Sequence, residues 1–192
     1  MGFRRSISII TGLVALTFFV ASSHAQVGEE TTIRIESSTT STFFGPVAPF
    51  AGPGTANYAV FSGVSNVGDF RGEGVSQSAP TGASCTLPDG SSGIELSLVD
   101  HVAVTRFEPG DLLLERGKPG DLVACLNLQT GRFHEEGTVT IIGGTGRYSG
   151  VSGSYDAIQD GTILVPPGSA PEGGLQFGYA TGTYRYRIQV PR

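Results

Sequence analysis

From Gly137 to Tyr155 the chain reads GTVTIIGGTGRYSGVSGSY, and this stretch leaves little room for anything but β structure. Val139 and Ile141 fall on one face of an alternating run, with Thr138, Thr140 and Ile142 on the other, which is the period of a strand. Gly143, Gly144 and Gly146 then supply a structural turn, since glycine takes positive φ without a Cβ penalty. Arg147 and Tyr148 follow, and Gly150 and Gly153 punctuate a second extended segment. No helical period interrupts the stretch, so it reads as two strands joined at a glycine turn.

The same pattern recurs along the chain. Ile33 and Ile35 alternate with Thr32, Arg34 and Glu36; Ile94, Leu96 and Leu98 alternate with Glu95, Ser97 and Val99. Near the C-terminus Tyr184, Tyr186 and Ile188 share one face, with Arg185, Arg187 and Gln189 opposite. Leu112–Glu115 reads as a short apolar strand, and Ala124, Leu126 and Leu128 as a face turned away from Cys125. Loops are expected over the proline-rich FFGPVAPFAGPGT, over Ser76–Gly93 and over Pro166–Gly174. Eight or nine strands spaced by such turns suit an all-β barrel or a two-sheet sandwich.

The first 25 residues are set apart from this pattern. Arg4 and Arg5, an apolar run from Ile9 to Ala21 and Ser23-His24-Ala25 fit a secretory signal peptide, 1–25, ahead of one β domain, 26–192. The apolar run is short for a spanning helix, and no integral membrane segment is expected after cleavage. Export to the periplasm or beyond the cell follows as the expected location. Without the two leader arginines the formal net charge moves from −5 to about −7, with no basic cluster, which argues against a nucleic-acid partner. Cys85 and Cys125 are the only cysteines, and in an oxidising compartment they are expected to form a disulfide rather than remain two buried thiols.

Motifs with defined chemistry are scarce. Gly143–Gly146 lacks both the phosphate-loop and the dinucleotide fingerprint, and no helix follows to aim a dipole at phosphate. No G-x-S-x-G accompanies the serines. His101 and His134 stand beside acids, but no spacing demands a metal, and no cofactor is expected. Acids, a histidine and hydroxyls that would serve a site inside a β domain are Asp69, Glu73, Glu95, Asp100, His101, Tyr148, Tyr155, Tyr184 and Tyr186. Glu95 and Tyr186 are the catalytic candidates, weighed against Tyr186 as a packing residue and Glu95 as a solvated one.

The segment from Ile141 to Gly153 resembles the strand–GGTGR–aromatic–Gly-x-x-Gly signature of the allene oxide cyclase and dirigent superfamily and its exported bacterial branch. The resemblance covers about 20 residues and implies an eight-stranded antiparallel β-barrel with an apolar interior. It also implies a small hydrophobic ligand as partner and a homo-oligomer as an expected assembly. It carries no catalytic residue across, because the acids of the plant proteins lie outside the matched segment. Three functions are expected from it: a protein binding a small apolar molecule, a cofactor-independent cyclase, isomerase or dirigent-like enzyme, and a structural module with a filled core. An open interior with a buried acid beside a tyrosine would speak for the enzyme; a lumen filled by Leu, Ile and Phe would leave only the module.

Overall fold

A computed structural model describes residues 31–47, 54–164 and 176–191. The leader expected over 1–25 and the whole of the loop expected over 166–174 lie outside the described residues. Nine strands follow in order: β1 (Thr31–Val47), β2 (Thr55–Ser65), β3 (Gly68–Thr86), β4 (Ser92–Phe107), β5 (Asp111–Gly117), β6 (Leu122–Leu126), β7 (Arg132–Gly144), β8 (Ser152–Ile163) and β9 (Gln176–Val190). A single 3₁₀ turn, Gly146–Tyr148, is the one helical element among the described residues. No helix among them is long and apolar enough to cross a membrane.

All nine strands belong to one sheet in the order β3-β2-β1-β9-β8-β7-β5-β4-β6, with further pairings β3–β4 and β7–β6. Every pair is antiparallel. The expected eight-stranded antiparallel β-barrel is thereby corrected to a nine-stranded antiparallel sheet. The reason for the extra strand lies at Lys118-Pro119-Gly120-Asp121. Strand β4 pairs β5 through His101–Phe107 and β6 through Ile94–Ser97, so the two short strands lie end to end along one long neighbour. Pro119 has no N–H for a ladder, and the turn is closed locally. Lys118 N donates to Asp121 Oδ2 at 2.7 Å and Gly120 N to Leu98 O at 3.0 Å.

Parts of two expected loops are strand instead, while residues 48–53 of the proline-rich one lie outside the described residues. Residues 76–86 continue β3, with a register break between Pro80 and Ser84 that tolerates the proline. Phe43 and Phe44 sit within β1, paired with Ala59 and Tyr58 of β2. The bulge expected at Asp100-His101 falls one residue earlier, where Val99 has no partner between Gln77↔Asp100 and Ser78↔Leu98.

Cys85 and Cys125 are joined, tying the end of β3 to β6 across the start of β4. Gly93 lies beneath this bridge. A Cβ there would come within 2.9 Å of Cys125 Sγ and 2.7 Å of Leu126 O, closer than real Cβ atoms approach. We expect Gly93→Ala to destabilise the oxidised protein by about 2 kcal/mol, the ordinary cost of overpacking. Equal urea midpoints for variant and wild type would refute this.

One face of the sheet holds the core, and its filling changes along the strands. Ile35, Phe107, Leu113, Val139, Ile141, Tyr186 and Ile188 are buried at one end. Phe107 stands among the rings of Phe70, Tyr148 and Tyr186 at centroid distances of 5.6, 5.5 and 6.3 Å. Toward the other end the same faces carry small or polar residues. On β9, Ile188, Tyr186 and Tyr184 give way to Gly182 and Ala180. On β1, Ile35 is followed by the buried Ser37, Thr39 and Ser41. Large side chains close one half of the interior; small ones leave the other half open.

Candidate functional site

The open half is a cavity of about 160 Å³. Its apolar walls come from Phe43 of β1, Phe61 of β2, Leu96 of β4, the inward face of β6 and Phe133 of β7. Phe43 and Phe133 meet edge to face with centroids 5.7 Å apart. Ala157 and Ala180 form parts of the wall where larger residues would fill the space. Strand β6 exists at this end only, so the interruption at 118–121 sets the side chains that line the space.

Polar groups converge on the cavity from several strands. Ser76 Oγ lies 2.7 Å from His101 Nδ1, and both residues line it. The imidazole is buried, and burial pulls its pKa down to about 4, against Asp100 and with Arg116 adding to the fall. His101 is therefore neutral at pH 7. Its Nε2 is buried without a hydrogen-bond partner. Ser41 Oγ donates to Gln159 Oε1 at 3.4 Å along the opposite wall.

Glu135 is the acid of the cavity. It stands on the inner face of β7 between Phe133 and Gly137, with Ala124 of β6 and Gln159 of β8 as its register partners. Burial pushes its pKa up to about 7, with His134 opposing. No hydrogen bond to its carboxyl is made by any described residue.

A second acid lies behind the wall. Glu115 is buried, does not line the cavity, and accepts a hydrogen bond from Thr105 Oγ1 at 2.5 Å. Burial pushes it up to about 7, against hydrogen bonds from Thr105 and Tyr155. The Tyr155 ring packs tilted against Tyr186 and Tyr184, at centroid distances of 4.8 and 5.2 Å. Burial raises all three phenols, and Glu115 raises them further; Tyr184 also feels Glu135. The three hydroxyls are thus protonated across the neutral range.

The catalytic candidates Glu95 and Tyr186 are not brought together. Glu95 is half-buried on the outer side, where Oε1 accepts from Thr81 Oγ1 at 3.0 Å across the break in β3. Tyr186 is packed in the filled half, with Oη lacking a hydrogen-bond partner. Asp69 and Glu73 are exposed, and Asp100 pairs with Arg116 at 2.8 Å. His101, Tyr155 and Tyr184 do reach the cavity. Gly143 and Gly144 end β7, and Gly146 opens the 3₁₀ turn at φ +61°. Asp111 fixes this turn: Oδ1 accepts from Arg147 N at 3.2 Å, and Oδ2 meets Arg147 Nε at 2.9 Å. It joins β7 to β8 far from the open half. Among the described residues no group of three or more His, Cys, Asp or Glu is placed to hold a metal ion.

Glu115 and Glu135 escaped the sequence reading, although strand period alone places them. Glu115 is two residues from Leu113, and Glu135 is two from Phe133 and four from Val139, all on inward faces.

No family model, curated protein or solved structure matches the chain. The allene oxide cyclase-like and dirigent-like identity expected from Ile141–Gly153 is corrected accordingly: the segment is a strand junction held by Asp111, and nothing beyond it ties the chain to that superfamily.

Proposed function

We propose that this chain is an exported β domain that binds a small, largely apolar molecule inside the open half of its sheet. The observation that carries the reading is the 160 Å³ cavity with apolar walls and a few convergent polar groups. A dry apolar space of about 150 Å³ admits a benzene-sized guest. The filled-core module is disfavoured because Ala157 and Ala180 stand where bulky side chains would close the interior. The enzyme reading asks for an acid beside a tyrosine: Glu115 with Tyr155 is walled off from the cavity, while Glu135 and Tyr184, whose phenol feels that acid, both line it and keep a cofactor-independent cyclase or isomerase as the second reading. Export is supported by the Cys85–Cys125 bond, which persists in oxidising compartments.

Titration with toluene, followed by amide shifts and thermal unfolding, tests binding. We expect shifts at Leu122, Ala157 and Ala180, and about 1.4 kcal/mol of added stability at ten times Kd. Ala157→Leu should fill the space and abolish both effects while far-ultraviolet circular dichroism stays that of β structure. Unperturbed amides at saturating toluene would remove the reading.

A further inference from the structure

We infer that the molecule held in the cavity is a small organic cation, an aryl- or alkylammonium whose nitrogen is met by the Glu135 carboxylate. The inference rests on the binding reading above and adds the chemical class of the ligand.

Glu135 faces the cavity, and no described residue donates a hydrogen bond to it. Glu135 is half-buried on a mostly apolar wall with no donor beside its carboxyl, so an incoming cation finds there a carboxylate that no group of the protein has paired. The register neighbours of Glu135 make no hydrogen bond to it: Ala124 offers only a methyl group, and the Gln159 amide is engaged through Oε1, which accepts from Ser41. His134, next in sequence, is on the other face of β7, with Nδ1 2.9 Å from Asp160 Oδ1. No lysine or arginine lines the cavity, so no side chain of the wall neutralises the acid. Burial holds Glu135 near half-ionised at pH 7, poised to be a carboxylate once a cation pairs with it.

The rest of the wall suits the body of such a ligand. Phe43, Phe61 and Phe133 provide ring surfaces in the same space, and the faces of aromatic rings attract ammonium groups. The leucines and alanines take the hydrocarbon part. Anionic guests are disfavoured twice, by Glu135 and by the lack of a lysine or arginine among the lining residues. The formal net charge of −5 favours the approach of cations to the protein as a whole.

Calorimetric and chemical-shift titrations at pH 8 with benzylammonium, benzyl alcohol, toluene and benzoate test the assignment on the oxidised full domain. Benzylammonium should bind at least tenfold more tightly than toluene, with benzyl alcohol between them and benzoate not bound. Glu135→Gln should remove the tenfold preference while toluene affinity stays within twofold. Toluene bound as tightly as benzylammonium, or a preference undiminished in Glu135→Gln, would overturn the cation assignment and leave the cavity a binding site. Failure of all four probes would overturn both. Should Glu135→Gln not fold, the wild-type comparison of benzylammonium with toluene decides alone.

Discussion

Replacing Cys85 and Cys125 together by serine is expected to lower the stability of the folded domain by about 4 kcal/mol, the chain-entropy cost of opening a loop this long. The bond spans 40 residues of sequence. It also holds the least self-sufficient strand of the sheet. Strand β6 has five residues and pairs only with Ile94–Ser97 of β4 and Phe133–Gly137 of β7. The bridge adds an anchor on β3 that no backbone ladder supplies, since β3 and β6 are not paired. Because Leu122, Ala124 and Leu126 line the cavity, the double variant should bind toluene more weakly even where it stays folded. Urea unfolding of the variant and the oxidised wild type measures the loss, and a difference below 1 kcal/mol would show the bridge to be energetically idle.

Much of the fold was legible because period two is a local property. Tyr184, Tyr186 and Ile188 were read onto one face and are buried together; so were Val139 and Ile141. Of the glycines expected to form the turn, Gly143 and Gly144 end β7 and Gly146 opens the 3₁₀ turn that leads to β8. The strand number was less legible, because the break between β5 and β6 depends on β4 being long enough to hold both. Composition misled at Pro80, where a register shift accommodates a residue that ordinarily ends a strand. Within the Ser/Thr run of β1, Ser37 Oγ donates to Tyr184 O at 3.1 Å from a buried position, a contact that composition does not show. The cavity itself was not legible. It arises from small residues on several strands separated widely in sequence, and only the pairing register brings Ala157 of β8, Ala180 of β9 and Ala124 of β6 into one wall. Glu135 does not stand out in the sequence because it lies between His134 and Glu136 in a polar run. Alternation separates it from both.

Glu115→Gln is expected to remove about 3 kcal/mol of stability loss between pH 4 and pH 8, the equivalent of moving one carboxyl from 4.5 to about 7. The direction follows from proton counts. Between these values the folded protein keeps a proton on Glu115 that the unfolded chain has released, so raising the pH favours unfolding. The stability is fully present below pH 4.5 and lost as pH rises through 7. Glu135 acts in the same sense over the same window. His101 acts oppositely: its pKa falls from 6.5 to about 4, so the unfolded chain takes up a proton that the folded one refuses, and stability rises with pH over that range. Asp89 and Asp156, held below the usual carboxylate range by hydrogen bonds from Ser91 and Arg187, add rising contributions at the acid end, so the net slope of the wild-type curve does not identify any single group. The variant does. Glutamine keeps an oxygen to accept from Thr105 and places an amide where the Tyr155 hydroxyl can accept, so the buried position stays satisfied without an ionisable group. With Glu115 gone, Glu135 and His101 oppose one another, and the fall in stability from pH 4 to pH 8 should be smaller than in the wild type by about 3 kcal/mol. Urea titrations at half-unit intervals of pH read the difference between the two curves. A variant curve parallel to the wild type would mean that Glu115 titrates alike in both states, and that its burial against Thr105 and Tyr155 is matched in full by their hydrogen bonds.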